Sequence, residues 1–533
     1  MIRKLLVANR GEIALRVFRA CRELGIATVA VVAPDDTGSL HARSADETVD
    51  VGSYLFSEEH IRAAKQTRAD AIHPGYGFLA ENADFAEAVN AAELVWVGPP
   101  PDALRAGGDK LEAKRLAEQA GVPVVPTGEP REIGFPLVVK AAAGGGGRGM
   151  RVVRTAGELD EALAAARREA KAAFGDDRVF CERYVERPRH VEVQLLGDVA
   201  LGERDCSIQR RHQKVLEEAP SPAVDSALRA EISDAAVAFA RAVGYENAGT
   251  AEFMLDGRDF YFLELNGRIQ VEHPVTELVT GVDLVKAQIR IASGEGMSQG
   301  LSLRHGHAVE VRLYAEDPRT FFPQTGRITK LRLPEDIRVD AGVAEGDEIG
   351  IAYDPMVAKL IAHGTTRTDA LDALGAALEE TVVEGVTTNL PFLRWLVSHP
   401  AVRAGETTTA FLVEHPPLSR VPVRVAPAPW RTPFRLNLPP PPSAPPPDVS
   451  ALAADQEGAA GEQSTVVAPM PGTVIKLLVG AGDAVRARQP LVVLEAMKME
   501  TPLTSPYAAT VRVVHVAEGD RVAGGALLIE LEE

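Results

Sequence analysis

Three places in the sequence combine residue types that could do chemistry. The first runs from Gly249-Thr250-Ala251-Glu252-Phe253-Met254-Leu255 through Asp256-Gly257 to Phe260-Tyr261-Phe262-Leu263-Glu264-Leu265-Asn266. Two strand-forming runs about an Asp-Gly turn predict a hairpin. With its centre near Arg258, Glu252 and Glu264 stand opposite each other on one face. Two carboxylates so placed among Phe, Met, Leu and Tyr repel, and a Mg²⁺ completed by nucleotide phosphates would resolve the conflict. Protonation of one Glu, or an Arg partner, is the structural alternative. Directly after, Arg268, Gln270 and Glu272 alternate along an extended segment and share a face. Upstream, Glu203 to Lys214 is a dense polar cluster. Such a run is ordinarily a solvated face, and its Arg, His and Lys become anion ligands only if folding brings them to the carboxylate pair.

The second place is Lys140, at the end of the predicted strand Phe135-Pro136-Leu137-Val138-Val139-Lys140, followed by a glycine run from Gly144 to Gly149 and then Arg151-Val152-Val153. Glycine runs are most often flexible linkers. Between two strands, this one predicts a hairpin whose N–H groups can lie against phosphates and which can close as a lid. No Gly-Lys-Ser/Thr follows, so it is not a Walker A loop. The third place is Lys498, between Met497 and Met499. A lone lysine is ordinarily solvated surface, but two methionines, which normally seek a core, flank this one on a turn.

The elements around these residues can be read in outline. Around Lys498 the chain repeats at an offset of about 37 positions: Pro469 answers to Pro506, Thr473-Val474 to Thr510-Val511, Gly482-Asp483 to Gly519-Asp520, Val485 to Val522 and Leu491 to Leu528. Short Val- and Leu-rich strands broken by Gly-Asp turns predict two matching halves of a small β-sandwich, with Lys498 on their connection. At the other end, Lys4–Asn9, Ile13–Leu24 and Ala27–Val32 read as strand, helix and strand, a doubly wound opening without GxGxxG. His73 to Asn82 follows another strand, where such sheets place ligand loops, although Pro-Gly-Tyr-Gly alone is only a turn. A helix with an N-cap begins at Asp102 and is interrupted at Gly107-Gly108-Asp109-Lys110. Gly306 to Phe411 reads as a mixed lobe, with a strand over Ala308–Tyr314 and an amphipathic helix over Thr368–Glu380. Between Pro416 and Pro447, 13 of 32 residues are proline, and Ala451–Gly461 is small and polar. This is a linker, stiff and then flexible, whose proline-rich part reaches up to about 100 Å.

Composition narrows the classes. At 533 residues the chain exceeds one core, and a net charge of -18 argues against nucleic acid or an anionic membrane as its main partner. Cys21, Cys181 and Cys206 are far apart and form no CxxC pair, so core packing is expected rather than a disulfide framework or a zinc site. The run Leu5-Leu6-Val7-Ala8 is too short for a signal core or a membrane span, and a cytoplasmic setting is the expectation.

Ala468-Pro469-Met470-Pro471-Gly472 and Glu495-Ala496-Met497-Lys498-Met499 resemble the biotinyl (biotin carboxyl carrier) domain, in which this lysine bears biotin through an amide. Ala8–Ala14, His73–Asn82, Gly144–Met150, Arg210–Lys214 and Ile269–Pro274, in that order, resemble biotin carboxylase of the ATP-grasp group. The whole is similar to the α chain of bacterial acyl-CoA (acetyl- or propionyl-CoA) carboxylases. The resemblance implies an α/β ATP-grasp fold with five parts. These are a Rossmann-like domain over 1–110, an ATP-grasp domain with lid over 111–300, a mixed C-terminal domain over 301–415, the linker over 416–464, and an all-β barrel-sandwich biotinyl domain over 465–533.

It also implies roles. Lys110 and Lys140 are ATP phosphate ligands, with Gly144, Gly145, Gly146, Gly147 and Gly149 as lid; Glu182, Val185, His190, Gln209 and His212 line the adenosine site. Glu252, Glu264 and Asn266 hold Mg²⁺ or Mn²⁺. Lys214, Arg268, Gln270, Val271 and Glu272 bind bicarbonate, and Arg312 lies beside the biotin oxygen. Lys214, Arg268, Glu272 and Arg312 form the catalytic set, with Glu272 as general base, and Lys498 is the attachment site. Bicarbonate attacks the γ-phosphate of ATP, the carboxyphosphate gives CO₂ and phosphate, and a closing lid excludes water. Three departures from the family pattern stand out. Gly267 replaces a frequent Thr and would loosen Arg268, Arg183 replaces a frequent Lys, and the run between Val125 and Phe135 is short. The implied partners are a carboxyltransferase β subunit, a biotin protein ligase and further copies of this chain. An inactive carrier subunit, or the biotin carboxylase chain of a split pyruvate carboxylase, are the alternatives.

Overall fold

Leu5, Leu6 and Val7 are wholly buried, as a short apolar run without alternation must be when a strand is covered on both faces. That strand, Lys4–Val7, lies at the middle of a five-stranded parallel sheet ordered Glu47–Asp50, Ala27–Val32, Lys4–Val7, Ala71–His73, Val95–Trp96. The loops leaving Val7 and His73 open on one crevice at the switch point. Asn9 in the first loop donates through Nδ2 to the carbonyls of Pro74 and Tyr76 in the second, both at 2.7 Å. Gly75, at φ +66°, sits so close that a Cβ would meet Asn9 Nδ2 at 2.8 Å. The two segments that read as separate turns form one clasp.

The computed structural model describes residues 2–142, 150–210, 213–296, 305–416, 465–496 and 499–532. The glycine run from Gly144 to Gly149, His212, most of the proline-rich linker and Lys498 lie outside the described residues. The helix expected from Asp102 runs Pro101–Gly108, with Asp102 in its first turn and making no side-chain cap bond. Asp109 is the capping residue instead. It accepts from the Leu111 and Glu112 N–H groups and opens the helix Lys110–Gln119, so Lys110 stands at its first position.

Leu137–Ala141 pairs antiparallel with Arg151–Val153 and with Val179–Arg183. The strands on either side of the glycine run therefore pair as the hairpin reading requires, Val139 opposite Arg151. The site is built on a larger antiparallel sheet of eight strands. Its order is Asp259–Asn266, Ala248–Asp256, Arg189–Leu196, Val199–Arg210, Gln213–Ala219, His307–Tyr314, Met356–Gly364 and Arg338–Ala341. Leu216 pairs with Val311, so the sheet continues across residue 300. Val191, Val193 and Leu195 pack with Phe239 of the helix Ser226–Ala242. By alternation, His190, Glu192 and Gln194 face the other way. Beyond the sheet, the helix Arg367–Glu380 begins at a capping box between Thr366 and Asp369.

The C-terminal repeat forms two four-stranded sheets, and each draws strands from both copies. One sheet is ordered Thr465–Val467, Leu527–Glu532, Ala509–Val514, Ala484–Val485; the other Met499–Thr504, Pro490–Ala496, Gly472–Leu477, Arg521–Val522. The repeat extends to individual pairs. Thr473 faces Glu495 as Thr510 faces Glu532, and the ladder slips after Val474 as it does after Val511. The two halves are interlocked rather than forming one sheet each. Met497 and Lys498 are the residues between the paired Ala496 and Met499.

Candidate active site

Register sets charge in rows across the eight-stranded sheet. Arg204 pairs with Glu192, Glu192 with Glu252, and Glu252 with Glu264, one row over four strands. The expected facing of Glu252 and Glu264 is present, but it is reached by a different route. The turn is Gly257-Arg258 between the paired Asp256 and Asp259, and pairing is regular up to Phe253 opposite Phe262. The ladder then slips by one residue at Leu263 before Glu252 meets Glu264. Strict alternation would put Glu264 on the face of Phe262, whose ring packs against Phe239 and Phe253. The bulge turns it to the opposite face.

Lys214 is the hub of the site. Its ammonium donates to Glu192, to Glu252 at 2.8 Å and to Glu272 at 2.7 Å. Burial works against its charge, but the three carboxylates raise its pKa well above the ordinary value. Burial likewise favours a neutral Glu272, yet Lys214 and Arg312 hold its carboxyl below the usual range. Arg312 donates to the second oxygen of Glu272 at 2.9 Å and, through Nε, to Glu217 at 2.6 Å. For Glu217, burial, opposed by Arg312 and reinforced by Glu272, pushes the carboxyl up to about 7. Arg204, fully buried, donates to Glu192 at 2.6 Å and to Gln194 and Thr276. His190 Nε2 lies 3.2 Å from Glu252, which pushes the imidazole up to about 9 against the effect of burial.

Arg268 is fastened on several sides: it donates to Gln270 at 2.8 Å and Asn266 at 3.0 Å and lies 3.1 Å from Glu81. A Cβ at Gly267 would meet Leu104 Cδ2 at 2.5 Å, so a side chain there requires the Leu104 side chain, on the helix Pro101–Gly108, to shift. Arg183 points away from the cavity wall to the Tyr261 hydroxyl, at 2.7 Å.

A cavity of about 590 Å³ is lined by Lys110, Lys140, Glu182, His190, Gln209, Lys214, Glu252, Glu264, Asn266, Arg268, Gln270, Val271, Glu272 and Arg312, together with Met150 and Phe180. Every sequence-predicted site residue of the catalytic body that is described lines this cavity except Val185, which is buried. Lys140 and Lys114 both pair with Glu182, whose carboxyl they hold below the usual range although burial favours its neutral form. Lys110 lies 3.8 Å from Glu264. The sequence reading missed Lys114, Glu192 and Glu217, and Arg204 was singled out only as part of the Glu203–Lys214 cluster, with no role assigned. A signal for Glu192 was present: His190-Val191-Glu192-Val193-Gln194-Leu195 alternates polar and apolar residues, although the polar face proves buried.

The oxygen donors Glu252, Glu264 and Asn266 fit a hard divalent cation. Burial, and then the Glu252 charge, disfavour the ionised form of Glu264, so that end of the row favours a positive guest. His190 and Lys214 meet part of that demand from the Glu252 side. The pair is thus not left in the bare repulsion expected from sequence.

Known protein families match the chain in series: the biotin carboxylase N-terminal domain over residues 1–104, the ATP-binding domain of the carbamoyl-phosphate synthase L chain over 109–300, the biotin carboxylase C-terminal domain over 310–414, and "biotin-requiring enzyme" over 464–531. The propionyl-CoA carboxylase alpha chain of Ruegeria pomeroyi is 46% identical over 466 residues, covering 78% of this chain and 68% of its own. The mitochondrial alpha chain of propionyl-CoA carboxylase from Homo sapiens is 38% identical over 671 residues, covering 99% of this chain and 91% of its own. Among solved structures, the biotin carboxylase domain of the Hydrogenobacter thermophilus 2-oxoglutarate carboxylase, bound to MgADP, ADP and bicarbonate, is 42% identical with a TM-score of 0.76, covering 78% of this chain and 98% of that one. With two biotin carboxylase domains flanking an ATP-binding domain, a biotin-type domain following them, and relatives 46% and 38% identical over 68% and 91% of their own length, the chain belongs to the biotin carboxylase family.

Proposed function

We propose that this chain carboxylates biotin borne on its own Lys498, using ATP and bicarbonate, as the α subunit of an acyl-CoA carboxylase acting on acetyl- or propionyl-CoA. The observation that carries the reading is Lys214, held among Glu192, Glu252 and Glu272 on a cavity wall, with Glu272 also fixed by Arg312. A carboxylate that is ionised at neutral pH and lines the cavity is free of its own proton and can accept another, although the two cations that keep it ionised also lower its basicity. Glu272 takes the proton of bicarbonate, whose oxygen attacks the γ-phosphorus of ATP, with ADP leaving and carboxyphosphate formed. Lys214 and Arg268 orient the anion, Gln270 and Val271 complete its binding position, and Lys110 and Lys140 bind the nucleotide phosphates. Glu182, His190 and Gln209 flank the rest of the nucleotide.

Glu252, Glu264 and Asn266 would hold Mg²⁺ or Mn²⁺, which supplies charge neutralisation to the phosphates when bound. When bound, biotin would supply the ureido nitrogen that takes up the CO₂ released from carboxyphosphate, the phosphate released with it taking that nitrogen's proton. Arg312, at the cavity wall, is placed to bind an oxygen that gains negative charge. The division into five parts given above is part of this reading, with the linker carrying the biotinyl domain between this cavity and a carboxyltransferase β subunit at high effective concentration. A biotin protein ligase loads Lys498, and the complex holds several copies of the chain. Among the described residues no helix is long and apolar enough to cross a membrane, and all three cysteines are free and buried, which supports a reducing, cytoplasmic setting.

The test is bicarbonate-dependent ATP cleavage with free biotin. Glu272→Gln should reduce it by about 10²–10⁴-fold, the usual contribution of a general base. Undiminished turnover in that variant would refute the assignment. Copurification of a carboxyltransferase, assayed with acetyl- and propionyl-CoA, decides the acceptor.

A further inference from the structure

Two motifs singled out in the sequence, Ala8–Ala14 and His73–Asn82, line the cavity but enter the chemistry proposed above only through the contact of Glu81 with Arg268, and both lead to one buried lysine. Lys359, on the strand Met356–Gly364, is wholly buried. Its ammonium lies 2.9 Å from Glu12 Oε1 and 3.8 Å from Asp340 Oδ2, and it donates to the Val271 carbonyl at 2.9 Å. The other oxygen of Glu12 accepts from the Tyr76 hydroxyl at 2.6 Å. The approach is close on the backbone side as well, since a Cβ at Gly342 would meet the Glu12 nitrogen at 2.8 Å.

A buried ion pair is a poor source of stability, because desolvation cancels much of the attraction and apolar residues of the same size often do as well. An ammonium with three donors, facing two carboxylates and one carbonyl, is better suited to fixing chain segments in one geometry. The carbonyl it holds belongs to the residue immediately before Glu272, and Val271 itself lines the cavity. We propose that Lys359, oriented by Glu12, is a positioning residue. By holding the Val271 carbonyl it sets the backbone from which Glu272 and Val271 meet bicarbonate, and it touches no substrate itself. The inference rests on the reading of Glu272 as base.

The test compares Lys359→Met with the double variant Glu12→Gln/Lys359→Met in the full chain. A displacement of this kind far from the reacting atoms lowers kcat by about ten- to a hundred-fold. Lys359→Met should show that loss and a raised KM for bicarbonate, with KM for ATP unchanged to within about two-fold. The double variant removes the Lys359–Glu12 pair while Asp340 keeps Arg338, so it should recover part of the lost thermal stability while kcat stays low; it also serves if the single variant does not fold. Recovery of kcat together with stability, or KM for ATP rising in step with that for bicarbonate, would reduce Lys359 to a structural pair and overturn the proposal. So would an unchanged kcat. Glu272→Gln run in parallel separates the two failures. If it stays active, the reading of the site falls; if it is dead while Lys359→Met is normal, only the positioning role falls.

Discussion

The eight-stranded sheet and the C-terminal sandwich are both antiparallel, but they use alternation for opposite ends. In the sandwich, Val474, Leu491, Leu494, Val511, Leu528 and Ile529 fill the space between two sheets with apolar side chains, and each half repeats the other's register. In the larger sheet one face is apolar, while the other buries Arg204, Glu192 and Glu252 in a row. Apolar burial is non-directional, so any sequence with the right period satisfies it. A buried charge is tolerable only beside its opposite, so the second face holds together only if every strand is in register.

That contrast can be broken most severely at Arg204. Arg204→Met leaves Glu192 short of a partner and should cost the catalytic body about 3–5 kcal/mol in urea unfolding, the usual loss when one member of a buried pair is removed. The sandwich transition should not move. Its counterpart is Leu494→Ala, a cavity in an apolar core, which should cost the sandwich about 3 kcal/mol and leave ATP cleavage unchanged when biotin is supplied free. Equal damage to both transitions in either variant would show that the two regions do not unfold separately. A smaller effect is expected of Gly267→Thr. The added Cβ meets only the tip of the Leu104 side chain, which must turn aside, so the cost should be about 1 kcal/mol, the low end for overpacking, and relieved by a second change, Leu104→Ala.

The smallest effect is one of mild acid. Asp36 is a buried carboxylate that Arg10 holds below its ordinary 3.8 despite desolvation, and Glu182 and Glu272 are likewise depressed from 4.5. Groups with a lowered folded pKa contribute stability that is complete above the unfolded value and is lost as pH falls through the folded one. Calorimetry of the full chain should therefore show the body's transition falling as pH drops from 5 toward 3.5, at roughly 2–4 °C per kcal/mol lost. The sandwich transition should fall less. Parallel movement of the two would mean that buried charge does not distinguish the regions.

The same contrast explains how far the sequence could be read. The repeat around Lys498 announced its strands, because an apolar core leaves a local, periodic trace. Glu252 and Glu264 were legible because a hairpin brings near neighbours together and needs no knowledge of distant strands. Glu217 was not, since its partner Arg312 lies 95 residues on and nothing local fixes which strands adjoin; Glu192 and Arg204, 12 residues apart across the Gly197-Asp198 turn, form a hairpin pair as local as Glu252 and Glu264 and went unread. Gly267 was read as a loosening of Arg268 because the packing of Leu104 against it joins positions far apart in the chain. The Asp102 cap was misplaced by one motif: Asp109, seven residues on, has the same chemistry and is the one that closes a helix.

Leu263 shows a different kind of information. It stands where the hairpin ladder slips, and Glu264 faces the cavity because of that extra residue. What the site needs there is a count rather than a side chain. Two sequences could agree at every cavity-lining position and still differ in whether that carboxylate faces the cavity, through nothing more than the number of residues between Phe262 and Glu264. Comparing relatives letter by letter would score such a difference as a harmless gap, although it decides which side of the sheet the carboxylate is on.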